Sequence, residues 1–527
     1  MSPSPRSSTT ANPTAKPLED IDILVIGSGI GGLVAAALLA HYGQRVVVCE
    51  SHSIPGGAAH AFSRDGFHFD SGPSFYCGLA DPKSLNPLRQ VLDLLDEPIA
   101  AQPYDPLGYY HFPDRTIPIF GNLDRYQTEL SKFTPTGARE FGNLVDRFLR
   151  LYHGLSGIPT LALRSDWKLF PFLLQHYSQA LLKLLGQLQD IQGSAGHILD
   201  ATVQDPWVRT LFNLECFLLS GMSAADTVAP EMAFMFGERT TSVIDYPIGG
   251  SGAIIAALVR GLEKFGGQLR LRSHVQQILV EQNQVTGVRL QSGEVIQAPI
   301  VISNATLWDT YQHLLKPEDL PNRYRASQLE TPAIESFMHL HLGIRADDLE
   351  AELGHPLAGH HVVVHDSSQP VTVPNNVCMI SIPSVWDKTL APTGHHTIHA
   401  YTLEPHENWQ NISDYTQQKQ QKSRILYKAL ERVIPDIKRR VTLELIGTPT
   451  THARFLHRYH GTYGPGIAAG QGMFPSCRTP IRGLYRVGDS TIPGIGVPAV
   501  AASGILCANA LVKPAQTRTA LKQLHLL

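Results

Sequence analysis

This 527-residue chain has no uninterrupted run of 18 apolar residues, so nothing in it reads as a membrane-spanning helix. Charge is scarce. Asp, Glu, Lys and Arg together make up 17% of the residues, and the net charge is only -3, which removes the electrostatic case for nucleic acid as a partner. The six cysteines, at 49, 77, 216, 378, 477 and 507, are scattered and contain no CxxC pair. They read as reduced thiols of a cytoplasmic protein, neither disulfides nor zinc ligands. HExxH and GxSxG are both missing, so neither a metalloprotease nor a nucleophile-elbow hydrolase is indicated. The opening "MSPSPRSSTTANPTAKPLED" has no apolar core segment. It reads as a disordered tail over 1–20 and argues against secretion.

What is present is apolar content and backbone freedom. Hydrophobic residues are 43%, with 44 glycines and 37 prolines spread throughout. Such a chain has ample core for more than one domain. Its most informative stretch is "DILVIGSGIGGLVAAALLAHYGQRVVVCES", Asp22 to Ser51. Ile21 to Ile26 reads as a buried parallel strand. Gly27, Gly29 and Gly32 then occupy the three glycine places of G-x-G-x-x-G. The first suits a tight turn, the second a close approach of pyrophosphate to backbone, and the third tight helix–strand packing. A helix is expected from Leu33 to His41, its N-terminus free to donate to phosphate. A second strand runs Gln44 to Cys49, and Glu50 stands at its end, where a carboxylate accepts from ribose hydroxyls. The acid disfavours a 2′-phosphate, so the dinucleotide is FAD or NAD.

After Glu50 the chain shows a second glycine pair, Gly56 and Gly57, and then Phe69-Asp70-Ser71-Gly72-Pro73. These are loops able to run along an extended cofactor, where a crossover helix would follow in an NAD domain. Near the C-terminus, "GLYRVGDSTIPGIGVPAVAASGILCANAL" reads as a strand Leu484–Val487, a turn at Gly488-Asp489, a glycine loop and a helix from Ala499 to Leu511. That second helix start beside an acid suits the flavin end of FAD.

These pieces resemble the phytoene desaturase-type flavoprotein oxidoreductases, a branch of the amine oxidase-like superfamily, and within it the carotenoid cis-trans isomerase and retinol saturase group. The resemblance rests on Ile23–Gly78, on "YPIGGSGAIIAALVRGLEKFGGQLRLRSHVQQILVEQNQVTGVRLQSGEVIQAPIVISNA" from Tyr246, on "SIPSVWDKTLAPTGHHTIHAYT" from Ser381, and on Gly483–Leu511. Together they span about a third of the chain. The resemblance implies FAD contacts at Gly27, Gly29, Gly32, Glu50, Gly56 and Gly57. It also implies Val275 near the adenine, Gly488 and Asp489 by the ribityl-pyrophosphate region, and Gly496 and Val497 beside the isoalloxazine. Isomerases of this group often carry Gln where this chain has Ile495.

The fold class expected is α/β: a discontinuous Rossmann-type FAD-binding domain (21–100, 240–310, 478–515) with an α+β substrate or membrane-facing domain (101–239, 311–477). Segment 269–302 alternates in short β runs with turns at Asn283 and Ser292-Gly293. Glu335 to Gly343 alternates strictly, placing Phe337, His339 and His341 on one face and Ser336, Met338, Leu340 and Leu342 on the other, and one of the two faces is expected to line a cavity. The two histidines read as hydrogen-bonded sheet positions. His355, His360, His361, His365, His395, His396, His399, His452, His457 and His460 show no ligand spacing and read as structural; no metal is expected. Asp166 to Asp190 reads as a single amphipathic helix, N-capped by Asp166, with Phe170, Leu173, Leu174, Tyr177, Leu181, Leu184, Leu185 and Leu188 on one stripe. That stripe meets either the core or a membrane surface.

The function expected is FAD-dependent chemistry on a long apolar polyene or isoprenoid, foremost carotenoid cis-trans isomerisation. A desaturase or saturase on the same scaffold is the nearest rival. An amine oxidase, wanting a Lys and an aromatic pair facing the flavin (Tyr463 and Phe474 are the aromatics on offer), and a non-catalytic pigment carrier are the others. No residue pattern names a general base or a redox partner. The location expected is the cytoplasm, with peripheral membrane contact open.

Overall fold

The computed structural model describes residues 20–527, so the tail expected over 1–20 lies, but for Asp20, outside the described residues. Five parallel strands form one sheet in the order Gln268–Arg270, Val46–Cys49, Ile23–Ile26, Ile300–Ser303 and Leu484–Arg486. Its strands come from three separated stretches of chain. Ile23, Val25, Val46, Val48 and Ile302 join one apolar cluster, while Leu24, Ile26, Val47, Cys49 and Val301 join another. Alternate residues thus enter two different cores, which explains why these strands read as unbroken apolar runs. The first core is closed by the helices Ile30–His41, Gly250–Lys264 and Val497–Leu511. The second is closed by the antiparallel meander Val275–Glu281, Gln284–Leu290 and Val295–Gln297. Its first turn has Gln282 and Asn283 at positive φ, and Gly293 takes the second.

Two helices start earlier than their sequences suggest. The first begins at Ile30, so the third motif glycine, Gly32, lies inside it. The last begins at Val497, where Pro498 needs no N–H and already holds a helical φ. After Glu50 the chain makes a single 3-10 turn, Gly57–Ala59, and the hairpin Ala61–Arg64 with Phe67–Asp70. No crossover helix intervenes.

A seven-stranded mixed sheet runs Val441–Gly447, Ser336–Arg345, His395–Glu404, Val377–Ser381, His360–Val364, Gly108–His111 and Thr116–Ile119. The strict alternation in Ser336–Arg345 divides its faces. Met338, Leu340, Leu342 and Ile344 pack with Leu426, Leu430 and Ile434 from the helix Tyr415–Leu430 and the turn after it. Phe337, His339 and His341 face the other way. A helical wall, Pro135–Leu155, Pro206–Ser220 and Ala229–Thr241, builds a further core around Phe141, Phe148, Phe212 and Phe236.

The stretch 166–190 is not one helix. It breaks into Leu169–His176, Ser178–Leu185 and Leu188–Gln192. Tyr177 leaves helical geometry (φ -133°, ψ 31°), and its hydroxyl donates to Leu526 O at 2.8 Å, which anchors the break to the C-terminus. The second break falls at Gly186 and Gln187, where glycine weakens helix continuation. Asp166 caps nothing. Its carboxylate accepts two 2.9 Å hydrogen bonds from the buried Arg164 guanidinium. With the phase broken twice, the expected stripe no longer shares one face. Leu173 is buried at 7% exposure and Tyr177, Leu181 and Leu184 are half-buried, whereas Phe170, Leu174, Leu185 and Leu188 are exposed. Trp167 (79% exposed) and Leu182 (68%) join the outer set. Neighbouring leucines therefore answer differently to charge. Leu173→Asp should destabilise the fold by on the order of 3–5 kcal/mol, from a cavity and a buried unpaired carboxylate. Leu174→Asp, 54% exposed, should cost about 0.5 kcal/mol. Urea melts of the two variants give the comparison, and equal losses would mean that the outer face is packed in solution.

Candidate functional site

The carboxyl ends of the parallel strands converge on one place. Gly27 follows the strand Ile23–Ile26, Glu50 follows Val46–Cys49, Asn304 follows Ile300–Ser303, and Gly488 lies just past Leu484–Arg486. Ligands bind at this edge of open α/β sheets because loops and helix N-termini face outward there. Gly27 sits at φ +89°, a turn conformation that side chains rarely adopt. A Cβ on Gly29 would lie 2.6 Å from Asn304 Nδ2, one on Gly31 would lie 2.9 Å from Gly488 Cα, and one on Gly32 would lie 2.4 Å from Gly27 O. The glycines thus permit two different approaches: strand to helix at Gly32, and helix to the distant C-terminal segment at Gly31. The helix Ile30–His41 starts at Gly29 and the helix Val497–Leu511 at Gly496, neither with a side-chain cap. Both leave unpaired N–H donors and a partial positive charge at the same edge.

A cavity of about 840 Å³ opens from this edge. Gly27, Gly29, Glu50, Gly56, Gly57, Val275, Gly488, Asp489, Gly496 and Val497 all line it. Gly32 does not; it is buried behind the loop within the helix. Glu50 is already well engaged. One carboxylate oxygen accepts from Ser28 N (2.8 Å) and Ser28 Oγ (2.6 Å), the other from His52 N (2.7 Å) and Ser51 Oγ (3.2 Å). A ribose hydroxyl would exchange with one of these, the long Ser51 contact being the weakest. Asp489 forms a 2.6 Å ion pair with Arg458, which also donates to Thr462 O and Tyr463 O. Arg458 therefore ties the segment 458–463 to the loop after the last parallel strand.

Away from the glycines the lining turns apolar. Phe217, Leu218, Leu219, Phe234, Met235 and Phe337 form this arm, with Tyr401 and Tyr463 beside them. Ile495, in the glycine loop, also lines the cavity and packs on Gly464. Phe337 and His339 line the cavity, so it is their face of the alternating strand that meets it. His452 and His457 line it too, although their spacing read as structural. His341 is buried next to it and its Nε2 lies 3.2 Å from Asp70 O. Asp70 in turn accepts from Ser251 N, Ser251 Oγ and Tyr246 Oη at 2.7–2.8 Å. Burial pushes the Asp70 carboxyl up from the usual range, and those hydrogen bonds oppose the shift. Of the aromatic pair considered for amine oxidation, Tyr463 faces the cavity, while Phe474 packs against Gly494 outside its lining. Among the described residues, no lysine lines the cavity.

Comparison with known proteins then bears on the whole chain. The sequence pattern of the flavin containing amine oxidoreductases matches residues 30–512. This chain belongs to that family. A flavin is accordingly its cofactor. Among curated relatives, prolycopene isomerase 1, chloroplastic, from an Oncidium hybrid cultivar is 35% identical over 501 residues, covering 93% of this chain and 84% of its own. A phytoene desaturase (neurosporene-forming) from Cereibacter sphaeroides is 27% identical, covering 94% and 96%. A putrescine oxidase structure shares the fold, with a TM-score of 0.62 at 15% identity over 95% of this chain and 98% of that one.

The residues of this flavoprotein fit a flavin dinucleotide on structural grounds. The cavity is lined by backbone that a Cβ would obstruct, and two uncapped helix starts point into it. Asn304, Arg458 and the apolar arm did not emerge from the sequence. Asn304 was detectable in principle, because it follows a parallel strand as Gly27 and Glu50 do. Arg458 and the apolar arm come from distant segments with no motif. Gly29→Val should leave the fold intact, since the obstructing atom is the movable end of Asn304, but the purified protein should lose at least ten-fold in flavin per chain. Absorbance near 450 nm against protein concentration, checked beside a melting curve, measures this; wild-type flavin content would remove Gly29 from the site.

Proposed function

We propose that this flavoprotein binds FAD along Gly27, Gly29, Glu50, Gly56, Gly57, Val275, Gly488, Asp489, Gly496 and Val497, with Gly32 behind them allowing helix and loop to pack closely, and that it isomerises cis double bonds of a long carotenoid polyene. The observation that carries this reading is the single cavity joining a glycine-lined, helix-terminated end to an apolar arm. The isomerase relative at 35% identity over nearly the whole chain gives the substrate class and reaction. We assign 21–100, 240–310 and 478–515 to the cofactor domain and 101–239 and 311–477 to the substrate domain.

When bound, the flavin supplies redox exchange with the conjugated chain. This chain's residues supply the rest. Uncapped N–H groups at Gly29–Gly31 would hold the pyrophosphate. Gly31 and Gly488 allow the first helix start to sit against the loop after the last parallel strand. Phe217, Leu218, Leu219, Phe234, Met235 and Phe337 give a polyene dispersion contacts and keep water from it. No lysine among the lining residues stands ready to hold a water in the manner an amine oxidase would want.

A desaturase or saturase is the second reading, favoured by the phytoene desaturase at 27% identity. Electron counting separates the three. Isomerisation leaves the polyene's oxidation state unchanged. Enzyme reduced once under anaerobic conditions should therefore convert many equivalents of a poly-cis carotene with no further donor. One product per two electrons supplied would establish a saturase, and turnover of oxidised enzyme with stoichiometric acceptor loss a desaturase. Chromatography of the isomers provides the count.

We also propose that the outward set Trp167, Phe170, Leu174, Leu182, Leu185 and Leu188 rests on a membrane surface, from which an apolar polyene would be drawn. Six large apolar side chains exposed within 22 residues form the kind of patch that marks an interaction face. Among the described residues no helix is long and apolar enough to cross a membrane. Leu182→Asp/Leu185→Asp should reduce co-flotation with liposomes several-fold while leaving the melting temperature within a few degrees of wild type. Unchanged flotation would take the membrane away from this face.

A further inference from the structure

The chain contains a cluster of chemistry that flavin binding does not use. His339 and His341 lie two apart on Ser336–Arg345, on the same face of the strand. His399, on the neighbouring antiparallel strand, stands directly opposite His341. One ligand nitrogen from each of the three lies within 4.8 Å of the others, and all three residues are buried. His452 comes in from the helix Pro449–Leu456, its ring centre 4.5 Å from that of His339. His339 and His452 reach the cavity.

We propose that His339, His341 and His399 form a three-imidazole site for a divalent transition ion of the zinc class, with His452 or a small oxygen ligand from the cavity in the fourth position.

In this structure His339 Nδ1 and His399 Nε2 share a 2.6 Å hydrogen bond between nearly coplanar rings, which a metal would replace; tetrahedral zinc with bonds of about 2.0–2.1 Å needs nitrogens about 3.4 Å apart, so the rings must turn to admit it. Two further observations support the site. His341 Nε2 faces the Asp70 carbonyl; donating there, it leaves Nδ1 with a free lone pair. Metal-bound histidines commonly have this outer hydrogen bond, because it sets the tautomer and ring orientation. His452 Nε2, beside the cluster, is buried with no partner, an unusual cost for a polar atom.

The donor set selects the ion. It consists of imidazoles alone, and imidazole suits zinc, iron and copper, whereas calcium and magnesium want oxygen. Three protein nitrogens with one side toward a cavity is the layout that leaves a coordination position open. The alternative is a metal-free hydrogen-bonded imidazole network in the sheet.

The test uses flavin-loaded full-length protein, prepared without a polyhistidine tag, treated with chelator and titrated with Zn²⁺ in a calorimeter. One equivalent should bind with a dissociation constant below micromolar. X-ray absorption should then show nitrogen at about 2.0–2.1 Å with imidazole outer-shell scattering from three or four rings. His341→Gln and His399→Gln should each weaken binding at least 100-fold at unchanged flavin content. His274→Gln/His457→Gln, which alters the other close histidine pair at the cavity (ring centres 4.8 Å apart), should bind zinc as wild type does. Absence of saturable zinc binding by the wild type, or fewer than three imidazoles in its absorption spectrum, would overturn the site even if a variant failed to fold. Loss of binding in the His274/His457 variant alone would move the metal elsewhere and also overturn it.

Discussion

The structure turns on a contact between two backbones that side chains would prevent. Gly31, in the first turn of one helix, lies against Gly488, more than 450 residues later in the chain, and Gly504 packs on the Gly31 carbonyl from the last long helix. Asn304 fills the remaining corner, touching the space above Gly27, Gly29, Gly31, Gly32 and Gly488. Because these positions lack Cβ atoms, two helix starts can share one cavity edge. Their aligned peptide dipoles then add at that edge, where an anionic cofactor group would sit. Separate these segments by the width of a methyl group and the cavity loses its shape at the point where cofactor and substrate meet.

The second sheet solves a different problem. One of its faces is an ordinary apolar core. The other carries buried histidines and tyrosines. Burying an imidazole is tolerable only when it stays neutral and finds hydrogen-bond partners. On the apolar face, alongside Val363 and Ile380, His111 and His361 do so by pairing at 3.0 Å, with burial bringing them to about 4 and about 3. His360 does so on Ser74 O at 2.9 Å. In the cluster at His339, His341 and His399, His399 Nδ1 is left without a partner. The same face supplies Phe337 and Tyr401 to the apolar arm, so a polar cluster and a hydrophobic tunnel share one wall.

The broken helices of 169–192 show how a correct pattern can mislead about placement. The apolar residues do recur at helical spacing, but a stripe keeps one face only while the helix keeps its phase. Tyr177, held by the C-terminal carbonyl of Leu526, and Gly186 interrupt that phase. Part of the stripe turns inward to the core beside Phe172 and Leu173, and part turns outward.

By itself the sequence determined whatever depends on near neighbours. The strand, glycine turn, helix, strand and acid from Ile23 to Glu50 were all legible, since steric freedom at Gly27 and alternation into two cores are local constraints. So were the meander of 269–302, the alternation of Ser336–Gly343 and the glycine loop before Val497, and the resemblance drawn from those segments agrees with the family match. Tertiary structure decided what depends on register between distant strands. Nothing local places His399 opposite His341, brings Arg458 to Asp489, or sets Phe217 and Met235 across from Phe337. Those encounters follow from sheet pairing and helix packing over tens to hundreds of residues, where side-chain periodicity records only which face is buried and carries no information about the partner buried against it.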